Sequence, residues 1–355
     1  MNVLICLGRN YRDFAPLNQY VLSTARTILG ALDSIFYMQE LVDIFRIIKD
    51  VLKVSDRCLM IAPKEKFDEI LKTFVVSEKK RIKMKFENAI CVKNTQMQII
   101  LLDLQNATQE ELMQIFRMQG VVRDYENMES LLYLYPLGIE ATSAQMLLNG
   151  IAKDFGVWIN VLNAESHLEV LSAMNGDLQG FKLAIKKMFG NKIFATFDLA
   201  RSIIELLGAQ DLKITSVESC TGGLIAATLT RKSGASKIFD GAMISYANAI
   251  KEAWLGVSAE KLSSYGAVSE AVVRDMLDGA LRLSGADFAL ATSGIAGPDG
   301  GSANKPIGTM YIGVKSTKGE EIIERLYFRG NRNFIQEQGA LYAYLLFLKI
   351  FFKNY

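Results

Sequence analysis

The 355-residue sequence contains a single histidine, His167. Hydrolases usually take their general base from histidine, and zinc hydrolases usually take several metal ligands from it. The four cysteines, Cys6, Cys58, Cys91 and Cys220, stand far apart without a C-x-x-C pair, so the sequence indicates neither a zinc site nor a disulfide framework. We therefore expect no metal, no cofactor and a reducing compartment.

The sequence also has no strong charge bias and no long apolar run. Its 40 basic and 38 acidic side chains leave a net charge of +2, too little to attract nucleic acid as a whole. The first residues lack the pattern of a signal peptide. The apolar stretch at residues 340–352 is shorter than the ~20 residues of a membrane-spanning helix and contains Lys349. We expect a cytoplasmic protein without direct nucleic-acid or membrane binding.

The length predicts more than one domain, because single cores stop growing at about 250–300 residues. Residues 1–125 alternate short apolar runs with amphipathic stretches, which is the pattern of a parallel α/β sheet. A basic segment at residues 79–85 is interpreted as a solvated surface segment. We predict that residues 1–125 form the first α/β domain.

The rest of the chain predicts two further domains. Residues 126–196 follow the order β-α-β-β-α-β of a ferredoxin-like module, in which His167 starts the third strand and is interpreted as a surface residue. Residues 197–355 return to an α/β pattern. The predicted fold class is therefore multidomain α/β, with three-layer α/β/α sheets at both ends and a small α+β ferredoxin-like module between them.

Glycine-bearing turns follow predicted strands in the last domain. One is "VESCTGG", residues 217–223, and another spans Gly294–Gly301. In open α/β sheets, ligands bind at the carboxyl ends of strands, so we expect a cleft there. The hydroxyl of Ser219 suits either a helix N-cap or a nucleophile, and Thr221 can also serve as the cap. Backbone amides at the glycines are candidates to bind an oxyanion.

A nucleophilic serine needs a base, and the sequence offers Tyr246 and Lys251 after the next predicted strand. A Ser-Lys-Tyr mechanism requires burial to lower the lysine pKa from about 10.4 by roughly 2–3 units. On spacing alone, Tyr246 also fits a half-buried strand residue and Lys251 a surface helix residue. Cys220 is a rival nucleophile at a helix start, or a small buried packing residue.

The glycine-rich loop at residues 293–306 is too long for a tight turn. Its amides together with Lys305 are candidates to bind a phosphate, and a flexible surface loop is the alternative. Asp299 in this loop is interpreted as a turn former.

Four segments occur in an order that resembles the carboxy-terminal domain of the CinA family: "VESCTGGLIAATLT", "ISYANAIKEAWLGV", "YGAVSEAVV" and "ATSGIAGPDGG" continuing to "KPIGTMYIGV". In that family the domain is similar to nicotinamide mononucleotide amidohydrolase, which converts its substrate and water into nicotinate mononucleotide and ammonia. The resemblance implies that Ser219 is the nucleophile and that Tyr246 and Lys251 activate it. It also implies a homodimer.

The resemblance further implies a set of residues around the oxyanion and the substrate. These are Cys220, Thr221, Gly222, Gly223, Asn248, Ser293, Gly294, Gly297 and Lys305. The family's Y-S-N-E-A-K reads Tyr-Ala-Asn-Ala-Ile-Lys here, so Ala247 and Ala249 replace a serine and a glutamate. Ser293 stands where the family usually has threonine.

The first domain resembles the molybdopterin-binding-like domain of full-length family members, which is associated with ADP-ribose pyrophosphatase activity. The family's phosphate-binding glycines and paired aspartates are absent from the corresponding segments "GRNYRD" and "APKEKFDE". We predict a retained fold without that activity, and the middle module looks like the family's linker domain. The alternatives are a non-catalytic nucleotide-sensing or scaffold protein linked to competence or DNA damage, and a residual pyrophosphatase.

Overall fold

The computed structural model describes residues 1–8, 10–30, 32–39, 55–75, 81–93, 98–118, 131–163, 167–172 and 176–355. The chain divides into two compact units. The first unit comprises Met1–Leu132, Leu148–Asn160 and Glu169–Phe181, and the second comprises Tyr133–Leu147, Val161–Leu168 and Lys182–Tyr355.

The first unit contains a six-stranded sheet. Its strands are β1 (Asn2–Leu7), β2 (Ser34–Met38), β3 (Arg57–Ile61), β4 (Arg81–Lys85), β5 (Ala89–Lys93) and β6 (Gln98–Leu102). Its helices are α1 (Asn10–Asp13), α2 (Ala15–Leu29), α3 (Phe67–Val75) and α4 (Gln109–Met118). The order is β2-β1-β3-β6-β5-β4, and the first four strands are parallel. The predicted parallel α/β sheet is confirmed.

One element of this sheet was not identified from the sequence. Residues 81–85, interpreted as part of a solvated surface segment, form the edge strand β4, antiparallel to β5. The cations there alternate with Ile82 and Met84, which is the two-residue period of a strand. The predicted helix at residues 41–54, the rest of the basic segment at 79–80 and the domain boundary near residue 125 lie outside the described residues.

The middle of the chain has the ferredoxin-like order. Its elements are β7 (Leu131–Pro136), α5 (Ala141–Asp154), β8 (Val157–Asn163), β9 (His167–Ser172), α6 (Leu178–Phe189) and β10 (Ile193–Thr196). The sheet order is β10-β7-β9-β8, with β10 antiparallel to β7. His167 begins the third of these strands, as the sequence predicts. The division of the chain into three domains remains a prediction.

The carboxy-terminal sheet of the second unit has five strands. They are β11 (Ile214–Glu218), β12 (Ala242–Ile244), β13 (Phe288–Gly294), β14 (Thr309–Ser316) and β15 (Glu321–Tyr327). The accompanying helices are α7 (Leu199–Gly208), α8 (Leu224–Thr230), α9 (Asn248–Leu255), α10 (Ala259–Tyr265), α11 (Glu270–Ser284) and α12 (Arg332–Asn354). The order is β12-β11-β13-β14-β15. Strand β11 is parallel to β12 and β13, whereas β14 and β15 are antiparallel.

The central strand β13 explains why this sheet is covered by helices on both faces. Phe288 belongs to the apolar cluster that includes Phe347 of α12, and their rings meet edge to face at 5.2 Å. The next residue, Ala289, belongs to the opposite cluster with Met276 of α11. Successive side chains of β13 thus point to opposite faces of the sheet and join a separate apolar core on each face. This gives the predicted three-layer α/β/α arrangement.

In the described part of the chain, no helix combines the length and the apolar character needed to cross a membrane.

Candidate active site

The carboxyl ends of three parallel strands meet at one edge of the carboxy-terminal sheet. Ser219 follows β11, Tyr246 follows β12, and Ser293 lies at the end of β13. Backbone pairing continues one residue past the end of β11, where the Ser219 amide donates a hydrogen bond to the Thr292 carbonyl at 3.0 Å. The expected cleft at the strand ends is therefore in place.

The side chain of Ser219 does not cap a helix. The N-cap of helix α8 is Gly223, which has no side chain that could bond to the first turn. Instead, Lys251 Nζ lies 3.0 Å from Ser219 Oγ in a hydrogen bond between two buried side chains. The turn can reverse the chain here because Gly222 and Gly223 have φ values of 62° and 102°. The geometry therefore favours the nucleophile interpretation over the cap.

Lys251 is a buried lysine in the first turn of α9, with only 1% of its surface exposed. Its Nζ also donates to the Ser245 carbonyl at 2.5 Å and to the Tyr246 carbonyl at 3.1 Å. No carboxylate of the described residues forms an ion pair with it. Burial disfavours the ammonium form and lowers the Lys251 pKa below its ordinary value. The interpretation of Lys251 as a surface residue is therefore wrong.

Tyr246 is predicted to activate Ser219 together with Lys251, but its phenol is hydrogen-bonded to Arg332 instead. Its side chain is 59% exposed, and its hydroxyl accepts a hydrogen bond from Arg332 Nη2 at 2.8 Å. Arg332 Nη1 also donates to the Gly297 carbonyl at 2.7 Å. Among the described residues, Lys251 contacts the backbone carbonyl of Tyr246, and no hydrogen bond joins the phenol to Ser219 or Lys251.

Glu218, which precedes Ser219, was not identified from the sequence. Its carboxylate has no exposed surface and accepts hydrogen bonds from the amides of Gly223 at 2.9 Å, Ile225 at 3.2 Å and Ala226 at 2.9 Å. It also accepts from the Thr221 hydroxyl at 2.7 Å. Glu218 thus satisfies the free amides at the start of α8, a role usually taken by the cap residue.

This arrangement changes which groups are available to bind an oxyanion. The Gly223 amide is bonded to Glu218, and the Gly222 amide donates to the Ser219 carbonyl at 3.2 Å. The Thr221 hydroxyl is shared between Glu218 and Thr292. These predicted donors therefore act inside the turn. The sequence signal for Glu218 is that it is the one charged residue of the strand Ile214–Glu218, since a carboxylate is rarely buried without strong partners.

A pocket of about 210 Å³ opens beside Ser219 and Lys251. Of the predicted residues, those that line it are Ser219, Cys220, Tyr246, Lys251, Ser293 and Gly294. The structure adds Ala267, Val268, Ala296 and Arg332 to the lining. Arg332 begins α12, more than a hundred residues after Ser219 in the sequence, and no local pattern connects the two.

The side chains of three further predicted residues, one of them in the pocket lining, have these positions. Ser293 is buried and donates its hydroxyl to the Ala267 carbonyl at 2.7 Å. Lys305 Nζ donates to the Tyr265 carbonyl at 2.6 Å, whereas Asn248 is exposed at the start of α9. Neither Lys305 nor Asn248 lines the pocket.

Cys220 does not have the environment of a reactive thiol. Burial raises the pKa of its thiol to about 12, so it stays protonated near neutral pH. Its carbonyl accepts a hydrogen bond from the Gln336 side chain at 2.6 Å. Within the described ranges, no cluster of three histidine, cysteine or acidic side chains is placed to hold a metal ion, and Asp299 is exposed.

Comparison with known proteins places this site in a family. The family model for the CinA C-terminal domain matches residues 196–351, which include the three strand ends and the start of α12. Nicotinamide-nucleotide amidohydrolase PncC of Enterobacter agglomerans is 44% identical over 157 residues, which cover 96% of that protein and 44% of this chain. The chain belongs to the CinA family.

Other CinA relatives are longer. A CinA-like protein of Prochlorococcus marinus is 41% identical over 177 residues, and the match spans 41% of that protein and 49% of this chain. Among solved structures, competence/damage inducible protein CihA from Agrobacterium tumefaciens is 40% identical with a TM-score of 0.41. That match covers 41% of this chain and 89% of the other.

Proposed function

We propose that residues 197–355 form an amidohydrolase that converts nicotinamide mononucleotide and water into nicotinate mononucleotide and ammonia. The observation that carries this proposal is the contact of 3.0 Å between Lys251 Nζ and Ser219 Oγ in a buried site. The similarity to the nicotinamide-nucleotide amidohydrolase of Enterobacter agglomerans supports the choice of substrate.

In the first half of the reaction, Ser219 Oγ attacks the carboxamide carbon. Its proton passes to the neutral amine of Lys251, which the lowered pKa makes available. The tetrahedral intermediate then collapses with cleavage of the C–N bond. The Lys251 ammonium returns the proton to the departing nitrogen, so that ammonia leaves and Ser219 carries the acyl group.

In the second half, a water molecule attacks the acyl ester while Lys251 takes one of its protons. Collapse of this intermediate breaks the bond between the acyl carbon and Ser219 Oγ, and the proton returns to that oxygen. The product is a carboxylic acid that ionises at neutral pH. Because Lys251 accepts and returns a proton in each half, the cycle needs no histidine.

The buried carboxylate of Glu218 positions the nucleophile in this proposal. By accepting three amides of the α8 turn, it holds Ser219 toward Lys251 instead of letting its hydroxyl cap the helix. Cys220 lines the pocket directly after the nucleophile, and its backbone amide is the proposed donor to the oxyanion. A fixed donor of this kind stabilises charge that develops only in the transition state.

Arg332 is the proposed partner of the substrate phosphate. The pocket of about 210 Å³ is smaller than the roughly 300–1,000 Å³ of most small-molecule sites, so it suits the carboxamide end of a mononucleotide. The rest of the ligand would extend past Tyr246 and Arg332. Arg332 is exposed and has no ion pair with a carboxylate of the described residues, so its charge is available to an anion.

The experiment measures ammonia release from nicotinamide mononucleotide by the full chain and by Ser219→Ala. We expect the parent to release ammonia and the variant to lose at least about a thousandfold in kcat. Ser264→Ala removes an exposed hydroxyl from α10 of the same unit and serves as the matched control. An inactive parent, or equal rates in Ser219→Ala and the control, would contradict the proposal and favour a non-catalytic nucleotide-sensing function.

A further inference from the structure

A second and larger cavity lies in the second unit, away from Ser219. Its volume is about 490 Å³, and it is enclosed by the last turns of α6, strand β10, helix α7 and the end of α12. It shares no lining residue with the pocket at Ser219 and Lys251. The volume is within the usual range of roughly 300–1,000 Å³ for small-molecule sites.

Aromatic rings form one side of this cavity. Phe194 of β10 packs against Phe352 of α12 with ring centroids 5.5 Å apart. Phe351 and Tyr355 stack at 5.2 Å, and Tyr355 is 42% exposed. Lys318 Nζ lies 3.7 Å from the centroid of the Tyr355 ring, so Phe351 and Lys318 already cover Tyr355. Phe352 is therefore the ring of this group on which a planar ring of a ligand can stack.

Helix α6 contributes positively charged side chains to the cavity. Lys182 and Lys186 both line the cavity and are four residues apart, so they lie on the same face of the helix. In the described part of the chain neither forms an ion pair with a carboxylate, and Lys182 Nζ lies 4.8 Å from the centroid of the Phe197 ring. Two like charges at this spacing repel each other, and an anion bound between them would remove that cost.

Polar side chains also line the cavity. They are Asn191, which follows α6, Ser202 of α7, and Gln210, which follows α7. The Ser202 hydroxyl is hydrogen-bonded to that of Thr196 at 2.6 Å, which fixes its position. Glu205 is the single acidic residue of the lining. The cavity therefore offers a stacking surface, hydrogen-bonding groups and two cations in one enclosure.

We propose that this cavity binds a nucleoside monophosphate. The base stacks on Phe352, the polar side chains bind the ribose hydroxyls, and Lys182 and Lys186 bind the phosphate. A ligand with these three parts uses every kind of group in the lining, whereas inorganic phosphate or a nucleoside alone uses only part of it. This site is independent of the amidohydrolase function proposed above.

The test is calorimetric titration of the full chain with AMP as the probe. We expect saturable binding, with adenosine and inorganic phosphate each binding at least about tenfold more weakly, because each lacks one part of the ligand. Lys182→Gln combined with Lys186→Gln should weaken AMP binding by at least about tenfold. Lys187→Gln, an exposed lysine of the same helix outside the lining, should leave it unchanged.

Phe352→Leu supplies a second arm, because it removes the stacking surface while keeping an apolar side chain. AMP binding should weaken while binding of inorganic phosphate stays the same, and a thermal melt of each variant checks its folding. If Phe352→Leu does not fold, the comparison of AMP with phosphate decides the role of the ring. Three results would overturn the proposal: no saturable binding of AMP at millimolar concentration, unchanged AMP affinity in the double lysine variant, or phosphate binding as tightly as AMP.

Discussion

Each unit of the molecule has a buried carboxylate at the carboxyl end of an interior strand. In the first unit Asp103 follows β6 and accepts hydrogen bonds from the Lys64 amide at 3.1 Å and the Asn106 side chain at 2.9 Å. In the second unit Glu218 ends β11 and accepts from three amides of α8. Both carboxylates fix the backbone of a loop that follows a strand, but Glu218 precedes the proposed nucleophile Ser219, whereas Asp103 precedes Leu104.

The surroundings of the strand ends also differ between the two units. At another strand end of the first unit, after β1, Tyr11 packs beside Gly8 and is 3% exposed. In the second unit, the loop after β11 borders a pocket of about 210 Å³. The same α/β architecture therefore supports packing at one strand end and the proposed chemistry at another, and the side chains at those ends decide which.

The strongest test of this comparison exchanges one lysine in each unit for methionine. Lys251→Met keeps most of the packing volume and removes the base, so kcat for ammonia release should fall by about a thousandfold or more. Lys64 pairs with Glu87 at 3.3 Å in the first unit, and Lys64→Met should leave kcat unchanged. Thermal melts verify that both variants fold. A fall in kcat for Lys64→Met would show that the first unit takes part in catalysis.

The second test uses pH. A base must be unprotonated to act, and burial lowers the Lys251 pKa below the ordinary 10.5, so the neutral fraction rises with pH through that lowered value. We expect kcat/KM to rise about tenfold per pH unit below the lowered pKa and to level off above it. A rate that is flat or falls as pH rises through this range would exclude Lys251 as the base.

The same group makes stability depend on pH. The unfolded chain holds the Lys251 proton up to about pH 10.5, whereas the folded chain releases it earlier. Because the unfolded state binds this proton more tightly in that interval, the contribution of Lys251 to the free energy of unfolding should rise with pH between the lowered pKa and 10.5. Denaturant titrations of the parent and of Lys251→Met at several pH values measure this contribution as the difference between the two proteins, because buried thiols such as Cys220, whose pKa is raised, act in the opposite direction in both.

Local periodicity accounts for what the sequence could predict. The strands β11, β13 and β14 and the helices α11 and α12 follow from apolar alternation or amphipathic spacing, and the motifs located Ser219 and Lys251. Strand β4 was missed because three of its five residues are cations, and a run of cations is also typical of a solvated surface segment. Helix α10 was missed because Leu262 is the one large aliphatic residue among its seven, so the segment shows no apolar period.

The parts of the site that the sequence could not predict depend on tertiary contacts. Arg332 is hydrogen-bonded to Tyr246, 86 positions away in the chain. The amides that donate to Glu218 come together around its carboxylate only once α8 has formed. The burial of Lys251 likewise depends on the packing of α9 rather than on its own neighbours in sequence. Homodimer assembly and cytoplasmic location remain predictions.

The third test substitutes the two buried carboxylates with their amides. Glu218→Gln places an NH₂ group or a neutral oxygen against three backbone amides, so we expect the free energy of unfolding to fall by about 2–4 kcal/mol. We expect kcat to fall by about tenfold, because the turn that holds Ser219 loosens. Asp103→Asn should lower stability by about 1–2 kcal/mol without changing kcat. Denaturant titrations and ammonia release measure both effects. Equal losses of kcat in the two variants would remove the distinction between the two loops.

The smallest expected effect concerns Tyr246. Its hydroxyl accepts from Arg332 rather than from Ser219 or Lys251, so Tyr246→Phe should raise KM by about threefold and leave kcat within a factor of about two. Its backbone carbonyl, which Lys251 contacts at 3.1 Å, is unaffected by the substitution. Steady-state kinetics with nicotinamide mononucleotide separates the two parameters. A loss of kcat as large as that of Lys251→Met would instead mean that the phenol joins the proton transfer once substrate is bound.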